Sequence, residues 1–235
     1  MYARFDIRLA LTDSDRRAIS RLRRQGIPSQ NQGLPSQNGD SSEVEGSWGN
    51  AELIDAHDEN AYVFGAFDGN RAVAAIRLHV VAESSGGPDA KALNLEVFGH
   101  YHPNRLGTVS GFVIAKHIER DAQLVAAMTQ QVICIGYLHR MEFICGAFES
   151  QWLPLLETLG WRRYLHLSAC PDLRGEAPLC FVLSDVEHLR RVGSPHTALA
   201  GAFGRNQFAA AHFENVRAKN ARPAIERRQV NSDSE

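Results

Sequence analysis

The sequence predicts an α+β protein built on a mixed, mostly antiparallel sheet flanked by helices. Three observations support this class. Two β-rich runs flank Asp68-Gly69, which is typical of an antiparallel hairpin. Between later runs, apolar residues recur every three or four positions, which is typical of helical crossovers. The resulting order is strand, helix, loop, three strands, helix, strand, helix and two strands, so hairpins and crossovers occur in one chain.

Composition places the chain among ordinary globular proteins. It has 235 residues, of which 44% are hydrophobic and 22% charged, enough for one elaborated domain with a sizeable core. The net charge of −2 gives no global attraction to nucleic acid. No apolar run approaches the roughly 18 residues of a membrane span, and MYARFDIRLA lacks the apolar region of a signal peptide. We therefore expect a cytoplasmic protein that is not integral to a membrane.

The spacing of the four cysteines indicates whether they form disulfides, bind zinc or stay reduced. None of them belongs to a C-x-x-C pair. Three of them lie inside apolar runs, which favours buried, reduced thiols over a disulfide framework or a zinc site. His100 and His102 form only a weak metal-ligand pair, and we predict no metal site. The cysteines are Cys134, Cys145, Cys170 and Cys180.

The first elements are a strand and an arginine-rich helix. Residues 4–10 alternate between apolar and polar, which predicts a strand with one buried face. Thr12 and Asp15 resemble a capping box, so a helix should run to about Gln25 and end at Gly26. Its outer side is either a solvated face or a docking surface for an acidic partner. That side carries Arg16, Arg17, Arg21, Arg23 and Arg24.

A polar segment follows this helix. Gly, Ser, Asn and Gln dominate residues 28–50, where PSQN occurs twice. Such a composition buries too little apolar surface to offset the entropy of ordering, so we predict a flexible loop anchored by Trp48. A short helix is expected from about Ala51.

The centre of the chain holds the clearest local patterns. Residues 61–67 and 71–82 are the two strands of the predicted hairpin, and 84–90 form a loop. Residues 108–114 read as another strand. Helical spacing then predicts a long helix over about 115–138.

The last third alternates strands with short helices. Strands are predicted over 141–148, 161–169 and 178–184, with a Ser150-capped helix ending at Gly160 between the first two. Ser184 and Glu187 resemble a capping box for a further short helix ending at Gly193. Residues 1–196 would then be one domain, and 197–235 a C-terminal helical extension with a frayed tail. The amphipathic positions of that extension are Phe208, His212, Phe213 and Val216.

Several motifs resemble those of the GNAT acyltransferase superfamily. Leu159-Gly160-Trp161 stands where these proteins carry LGF. The combination of Arg23, the D-x-x-D of Asp55 and Asp58, and Arg77 is similar to a set in the acyl-homoserine-lactone (autoinducer) synthases. The ending DVEHLRRVGSP resembles the related long-chain N-acyl amino acid synthases. The resemblance spans roughly residues 4–195.

The resemblance implies a GNAT-like fold and an N-acyltransferase. The expected reaction moves a fatty acyl group from an acyl carrier thioester to the amine of an amino acid or a similar small amine. No tightly bound cofactor is expected, because the phosphopantetheine thioester of acyl carrier protein, or acyl-CoA, is itself the donor. Acyl carrier protein and the amine would be the partners.

The same resemblance, together with a carboxylate at Glu96 that could serve as base, gives the candidate site residues. Arg77, Asp55, Asp58 and Glu96 are the candidate catalytic residues, since a cluster of opposite charges can orient an amino acid and a carboxylate can act as base. The sequence also departs from the lactone synthases. Their E-x-S-R-F motif reads TVSGF here, with Thr108 and Gly111 in place of Glu and Arg. Lactone synthesis is therefore not expected. The candidate substrate-binding residues are Arg23, Trp48, Ser110, Phe112 and Val113.

Two further departures from the usual GNAT pattern concern the acyl donor and the general acid. No glycine lies between Gly111 and Gly136, so the usual diphosphate cradle of CoA-dependent GNAT proteins is not expected. Leu156 occupies the position of the usual tyrosine acid, which leaves Tyr137 and Tyr164 as substitutes or as structural aromatics. Two alternatives stay open: a CoA-dependent acetyltransferase acting on a small amine, and a non-catalytic GNAT-like binding domain.

Overall fold

A computed structural model describes residues 4–26, 55–118, 121–166, 171–173, 176–202 and 211–216. Seven strands form one sheet in the order β1-β2-β3-β4-β5-β7-β6, in which β4 and β5 are parallel and every other neighbouring pair is antiparallel. The predicted α+β class with a mixed, mostly antiparallel sheet is confirmed. The strands are β1 (Asp6–Leu9), β2 (Tyr62–Asp68), β3 (Arg71–Val80), β4 (Leu106–Ile114), β5 (Phe143–Phe148), β6 (Arg162–Arg163) and β7 (Ala177–Val182).

Helices flank this sheet, and short 3₁₀ turns connect several elements. Among the described residues, none of the helices is long and apolar enough to cross a membrane. The α-helices are α1 (Asp13–Gly26), α2 (Val81–Ser84), α3 (Ala122–Leu138), α4 (Leu153–Thr158), α5 (Val186–Arg191) and α6 (Thr197–Ala202), and residues 211–216 are also helical. The 3₁₀ turns that matter below are Ala56–Asp58, Leu95–Tyr101 and Lys116–Ile118.

The first helix is fixed at both its start and its inner face. Thr12 Oγ accepts a hydrogen bond from the Asp15 backbone N–H at 3.1 Å, as the predicted cap requires. Arg8 of β1 reaches Asp15 at 2.7 Å, and its hydrogen bond holds the pKa of that carboxyl below its ordinary value. Ile19 and Leu22 are buried against the sheet.

The two faces of the sheet are covered by different helices. Gly65 of β2 pairs with Ala75 of β3, and Ile19 of α1 packs directly on Gly65. On the other face, Gly136 of α3 is in close contact with Ile144 of β5. Side chains alternate along a strand and paired residues share a face, so α1 lies on the Arg77 face and α3 on the opposite one.

A second apolar cluster continues the Arg77 face beyond α1. Cys145 and Cys180 pair across β5 and β7 and lie in this cluster. The segment over 93–101 covers it with Leu93, Phe98 and Tyr101. Arg77 and its polar neighbours on β3 and β4 therefore lie in the strip between α1 and the second cluster.

The helix over 211–216 closes the far edge of this second cluster. Phe213 and Val216 are buried in it. Arg162 of β6 forms ion pairs of 2.9 Å with Asp185 and Glu214, and its guanidinium lies 4.2 Å above the Phe213 ring. These contacts fasten the C-terminal segment to the sheet.

Local boundaries differ from the sequence prediction in several places, of which three are the most informative. α3 begins at Ala122 rather than near 115, because Asp121 accepts the Leu124 N–H at 3.0 Å and a 3₁₀ turn precedes it. Asp185 rather than Ser184 caps α5. The strand predicted over 161–169 is limited to Arg162–Arg163.

Some predictions fall on other parts of the chain. The loop predicted over 28–50, Trp48 and most of the tail lie outside the described residues. Cys145 and Cys180 are buried free thiols, as predicted, whereas Cys134 is free but only half-buried, and Cys170 lies outside the described ranges.

Candidate functional site

The central feature is a gap between the two parallel strands. β4 and β5 pair only as far as Val109 and Gly146 within the described sheet. On its other side, β4 pairs Ser110 with Arg77 and Val113 with Ala75, so Gly111 and Phe112 both stand opposite Ile76. This extra residue is a β-bulge, which bends β4 away from β5.

The bulge requires the glycine. Gly111 adopts a φ of +59°, a left-handed conformation that costs other residues free energy. Phe112 then packs edge-on against Phe148 and Trp152, with ring centroids 5.8 and 5.5 Å apart. The gap therefore has an apolar wall on the α3–α4 side.

A buried network of charges lies on the opposite face. Arg77 Nη1 donates to Asp55 Oδ2 at 2.8 Å and to Asp58 Oδ1 at 2.9 Å, while its Nε donates to Ser110 Oγ at 2.9 Å. Arg23 Nη1 donates to both carboxylate oxygens of Asp58 at 2.9 Å. Four elements thus converge: α1, the Ala56–Asp58 turn, β3 and β4. We call these residues the Arg–Asp cluster.

The Arg–Asp cluster is largely removed from water. The side chain of Asp58 is 0% exposed and that of Arg77 is 4% exposed. Buried charges persist only when paired and hydrogen-bonded, as these are. Partial burial raises the pKa of Asp55, but the His57 backbone N–H and Arg77 outweigh this and hold the pKa below its ordinary value. Asp55 is therefore an anion at neutral pH.

Arg23 keeps hydrogen-bonding capacity next to the bulge. Its buried Nε and Nη2 make no hydrogen bond within the part of the chain that the structure describes. A Cβ built on Gly111 would lie 3.2 Å from both of these atoms. The guanidinium therefore sits directly over the bulge, with two donors close to the gap.

His79 extends the polar strip by one step along β3. It is 2% exposed and lies against Gly87, where any side chain would collide with its ring. Burial, followed by the nearby Arg77 charge, lowers the pKa of His79 to about 4. The imidazole is therefore neutral at pH 7.

Two carboxylates lie across the gap from Arg77, and a third lies near both sides. Glu149 directly follows β5, and Glu176 directly precedes β7, flanking the terminal pair Phe148–Ala177. Alternation along these strands places both on the Arg77 face, in line with Cys145 and Cys180. Asp89 interacts electrostatically with Arg77 on one side and with Glu176 on the other. We call Asp89, Glu149 and Glu176 the carboxylate group.

Burial and like charges raise the pKa of two of these carboxyls. Burial raises the pKa of Glu176 to about 7, with Asp89 and Glu149 adding to the shift. Burial also raises the pKa of Asp89, although Arg77 and His57 oppose it. The gap thus has arginine donors on one side and a carboxylate that titrates near neutrality on the other.

The structure brings most candidate residues together. Arg23, Asp55, Asp58, Arg77 and Ser110 form one hydrogen-bonded unit. Two more candidates belong to β4 itself, namely Phe112 in the bulge and Val113 just after it.

The other two candidates are not part of this unit. Glu96 lies exposed on the Leu95–Tyr101 turn and makes no contact with the Arg–Asp cluster in the described ranges. Trp48 lies outside those ranges. The roles of all these residues stay predictions.

Both tyrosines proposed as substitute acids are already engaged. Tyr137 donates its hydroxyl to the Leu183 carbonyl at 2.7 Å, and Tyr164 donates to the Leu93 carbonyl at 2.8 Å. Both side chains are buried in the core, which favours the structural reading. Across the described segments, no three His, Cys, Asp or Glu side chains form a group that could hold a metal ion.

Comparison with known proteins rests on structure alone. No family model matches the chain, and no curated protein matches its sequence. Among solved structures, it is similar to FeeM, an N-acyl amino acid synthase from uncultured soil microbes. The TM-score is 0.58 with 16% identity, over 83% of this chain and 97% of FeeM. The chain has the GNAT fold.

Other solved structures match less closely. The AHL synthase LasI gives a TM-score of 0.49 at 10% identity, over 76% of this chain and 89% of LasI. An acyl-CoA N-acyltransferase from Pseudomonas aeruginosa gives 0.45 at 11% identity, over 75% of this chain and 97% of that one.

Proposed function

We propose that the chain is an N-acyltransferase that moves a fatty acyl group from an acyl carrier thioester to the amine of an amino acid or a similar small amine. One observation carries the proposal: β4 and β5 separate beyond Val109 and Gly146, and the buried Arg–Asp cluster lies beside the resulting gap on one face of the sheet. The fold shared with FeeM, an N-acyl amino acid synthase, also supports it.

The gap suits the electrophile of such a reaction. Attack on a thioester generates an oxyanion, which backbone N–H donors stabilise in a site shielded from water. Beyond Val109, the described part of β5 offers β4 no ladder partner, so the bulged backbone of β4 faces the gap. The apolar wall of Phe112, Phe148 and Trp152 excludes water from one side.

The Arg–Asp cluster suits the acceptor. Arginine donors bind carboxylates in a fixed geometry, and Arg23 retains two buried donors at the bulge. An amino acid whose carboxylate meets Arg23 would direct its ammonium group toward the gap. Arg77 is already shared by Asp55, Asp58 and Ser110, so its task is to hold the pocket in shape.

The donor is best matched by acyl carrier protein. In CoA-dependent GNAT proteins the start of the long helix cradles the diphosphate, but here Asp121 caps that helix end with a carboxylate. A negative charge there opposes diphosphate binding. The exposed arginines of α1, among them Arg21 and Arg24, instead offer a positive surface to an acidic carrier.

The test is a transfer assay with two donors. Purified protein is incubated with dodecanoyl-acyl carrier protein or with dodecanoyl-CoA and a panel of amino acids and simple primary amines, and amide products are measured by mass spectrometry. We expect amide formation, with a lower KM for dodecanoyl-acyl carrier protein than for dodecanoyl-CoA. Reversing Arg21→Glu and Arg24→Glu should raise that KM about tenfold with little change in kcat, and salt should weaken the effect.

Matched controls separate docking from general effects. Arg140→Glu with Arg190→Glu makes the same charge change at exposed positions away from α1 and should leave KM unchanged. Equal use of acyl-CoA, indifferent to charge and salt, would establish the CoA alternative. Binding of acyl carrier with no transfer from either donor would establish the non-catalytic alternative.

A further inference from the structure

The proposed acyl transfer leaves one chemical requirement unassigned. An acceptor amine is protonated at neutral pH and cannot attack until a base removes a proton. Lactone synthases carry Glu at the position of Thr108, which here is buried and donates its hydroxyl to the Gly86 carbonyl. The Thr108 hydroxyl is not basic enough to take this proton at neutral pH, so another group is needed.

The carboxylates of the Arg–Asp cluster are poorly suited to this step. Both oxygens of Asp58 accept hydrogen bonds from Arg23, and Arg77 shares one of them. Asp55 is bound by Arg77 and has a pKa below its ordinary value, so it is a weak base. These two carboxylates serve structure better than proton transfer.

Resting on the proposed transfer reaction, we propose that Glu176 is the general base that takes the proton from the acceptor's ammonium group. Glu176 directly precedes β7. It lies beside the end of β5 that no longer pairs with β4. Strand alternation places it on the Arg77 face, and the sheet order β3-β4-β5-β7 puts Arg77 and Glu176 on opposite sides of the gap, with Asp89 near enough to interact electrostatically with both. An acceptor held at Arg23 would therefore present its ammonium group toward Glu176.

The electrostatic surroundings of Glu176 fit this role. The titratable groups that act on it are Asp89, from the segment after α2, and Glu149, from the end of β5. Both are acidic, and the neighbouring Asp172 on its own segment is exposed. With burial, they raise the pKa of Glu176 to about 7, where a base is most effective at physiological pH. The same three carboxylates attract a cationic ammonium group.

The proposed step balances in protons and electrons. Glu176 accepts one proton from R–NH₃⁺, and the lone pair of the resulting amine forms the C–N bond with the thioester carbon. Collapse of the tetrahedral intermediate breaks the C–S bond and releases the thiolate. The second proton lost by nitrogen neutralises this thiolate, and Glu176 returns its proton to water.

The deciding measurement is the pH profile of kcat/KM between pH 5 and 9.5 for wild type and Glu176→Gln. We expect a rise in wild type with an apparent pKa near 7. The variant should be about 100-fold slower at pH 7 and should recover at high pH, where free amine is supplied by solution. The conservative Glu176→Asp variant should keep this rising limb of the pH profile at a reduced rate. Glu149→Gln should move the limb to lower pH, because it removes one of the charges that raise the pKa of Glu176.

Control variants distinguish this role from its alternatives. Glu187→Gln, an exposed carboxyl on α5, should match wild type in rate and profile. Transfer with an unchanged rate and limb in Glu176→Gln would overturn the inference and leave the proposed function standing. Loss of the limb in Glu96→Gln instead would assign the base to Glu96. No transfer by wild type would overturn both proposals.

A direct titration guards against misfolding of the variants. Carbon-13 NMR of glutamate side-chain carboxyls in the wild-type protein should show one resonance titrating near pH 7, which Glu176→Gln removes. The thermal midpoint of each variant verifies its fold. The absence of any glutamate titrating above about pH 6 would also overturn the inference.

Discussion

Arg77 is the residue whose loss should cost most. Arg77→Ala leaves Asp58 buried with Arg23 as its remaining ion-pair partner among the described residues and removes the hydrogen bond to Ser110. Breaking a buried ion pair typically costs about 3–5 kcal/mol, so we expect a loss of this order in urea unfolding. Amide formation should fall to background.

The control for this change lies on the same strand. Arg71→Ala removes an exposed arginine at the start of β3, and stability should change by less than about 0.5 kcal/mol. Equal stability of the two variants would show that the cluster contributes little to the fold. Full activity of Arg77→Ala would remove Arg77 from the site.

At the residue scale, a motif indicated which side chains lie together, while their roles stay predictions. Arg23, Asp55, Asp58 and Arg77 were grouped by resemblance, and the structure places them within hydrogen-bonding distance. Glu176 carries no motif. Its interest depends on β5 and β7 being neighbours although β6 lies between them in sequence, which no local pattern indicates.

The bulge in β4 is the element on which the gap depends. Gly111→Ala would force a side chain into left-handed backbone and place its Cβ 3.2 Å from two guanidinium atoms of Arg23. We expect a stability loss of about 1–3 kcal/mol and a more than tenfold loss of amide formation.

Gly69→Ala is the matched control for the bulge. Gly69 has nearly the same φ, +58°, but an added Cβ would meet nothing within 4 Å. Its stability loss should be similar, whereas activity should be unchanged. Equal activity in the two variants, measured at a temperature where both are folded, would show that the bulge does not shape the site.

At the scale of elements, periodicity predicted existence better than boundaries. The hairpin over β2 and β3 has both alternation and a turn motif, and it forms as predicted. The residues before α3 share apolar spacing with the helix, but the Asp121 cap starts it later. Apolar residues after β6 pack into the second apolar cluster without extending the strand, as Tyr164 and Leu165 do.

The whole molecule should lose stability as the pH falls from about 6.5 toward 4. Burial lowers the pKa of His79, His188 and His196 from 6.5 to about 4 each, with Arg77 and Arg162 adding to the first two shifts. The folded state therefore holds these imidazoles neutral, whereas the unfolded chain protonates them near 6.5. Their contribution is fully present above pH 6.5 and is lost as the pH falls through the folded pKa.

Urea unfolding at pH 7, 5.5 and 4.5 measures this effect. Each histidine changes the free energy of unfolding by at most about 1.4 kcal/mol per pH unit in that window. Glu176 acts in the opposite sense, since its raised pKa favours the folded state at lower pH, so the series is run in Glu176→Gln as well. His196→Gln should flatten the slope by one proton, because His196 is buried beside Thr129 and burial alone lowers its pKa. Parallel pH curves for His196→Gln and its parent would show that this imidazole titrates alike in both states.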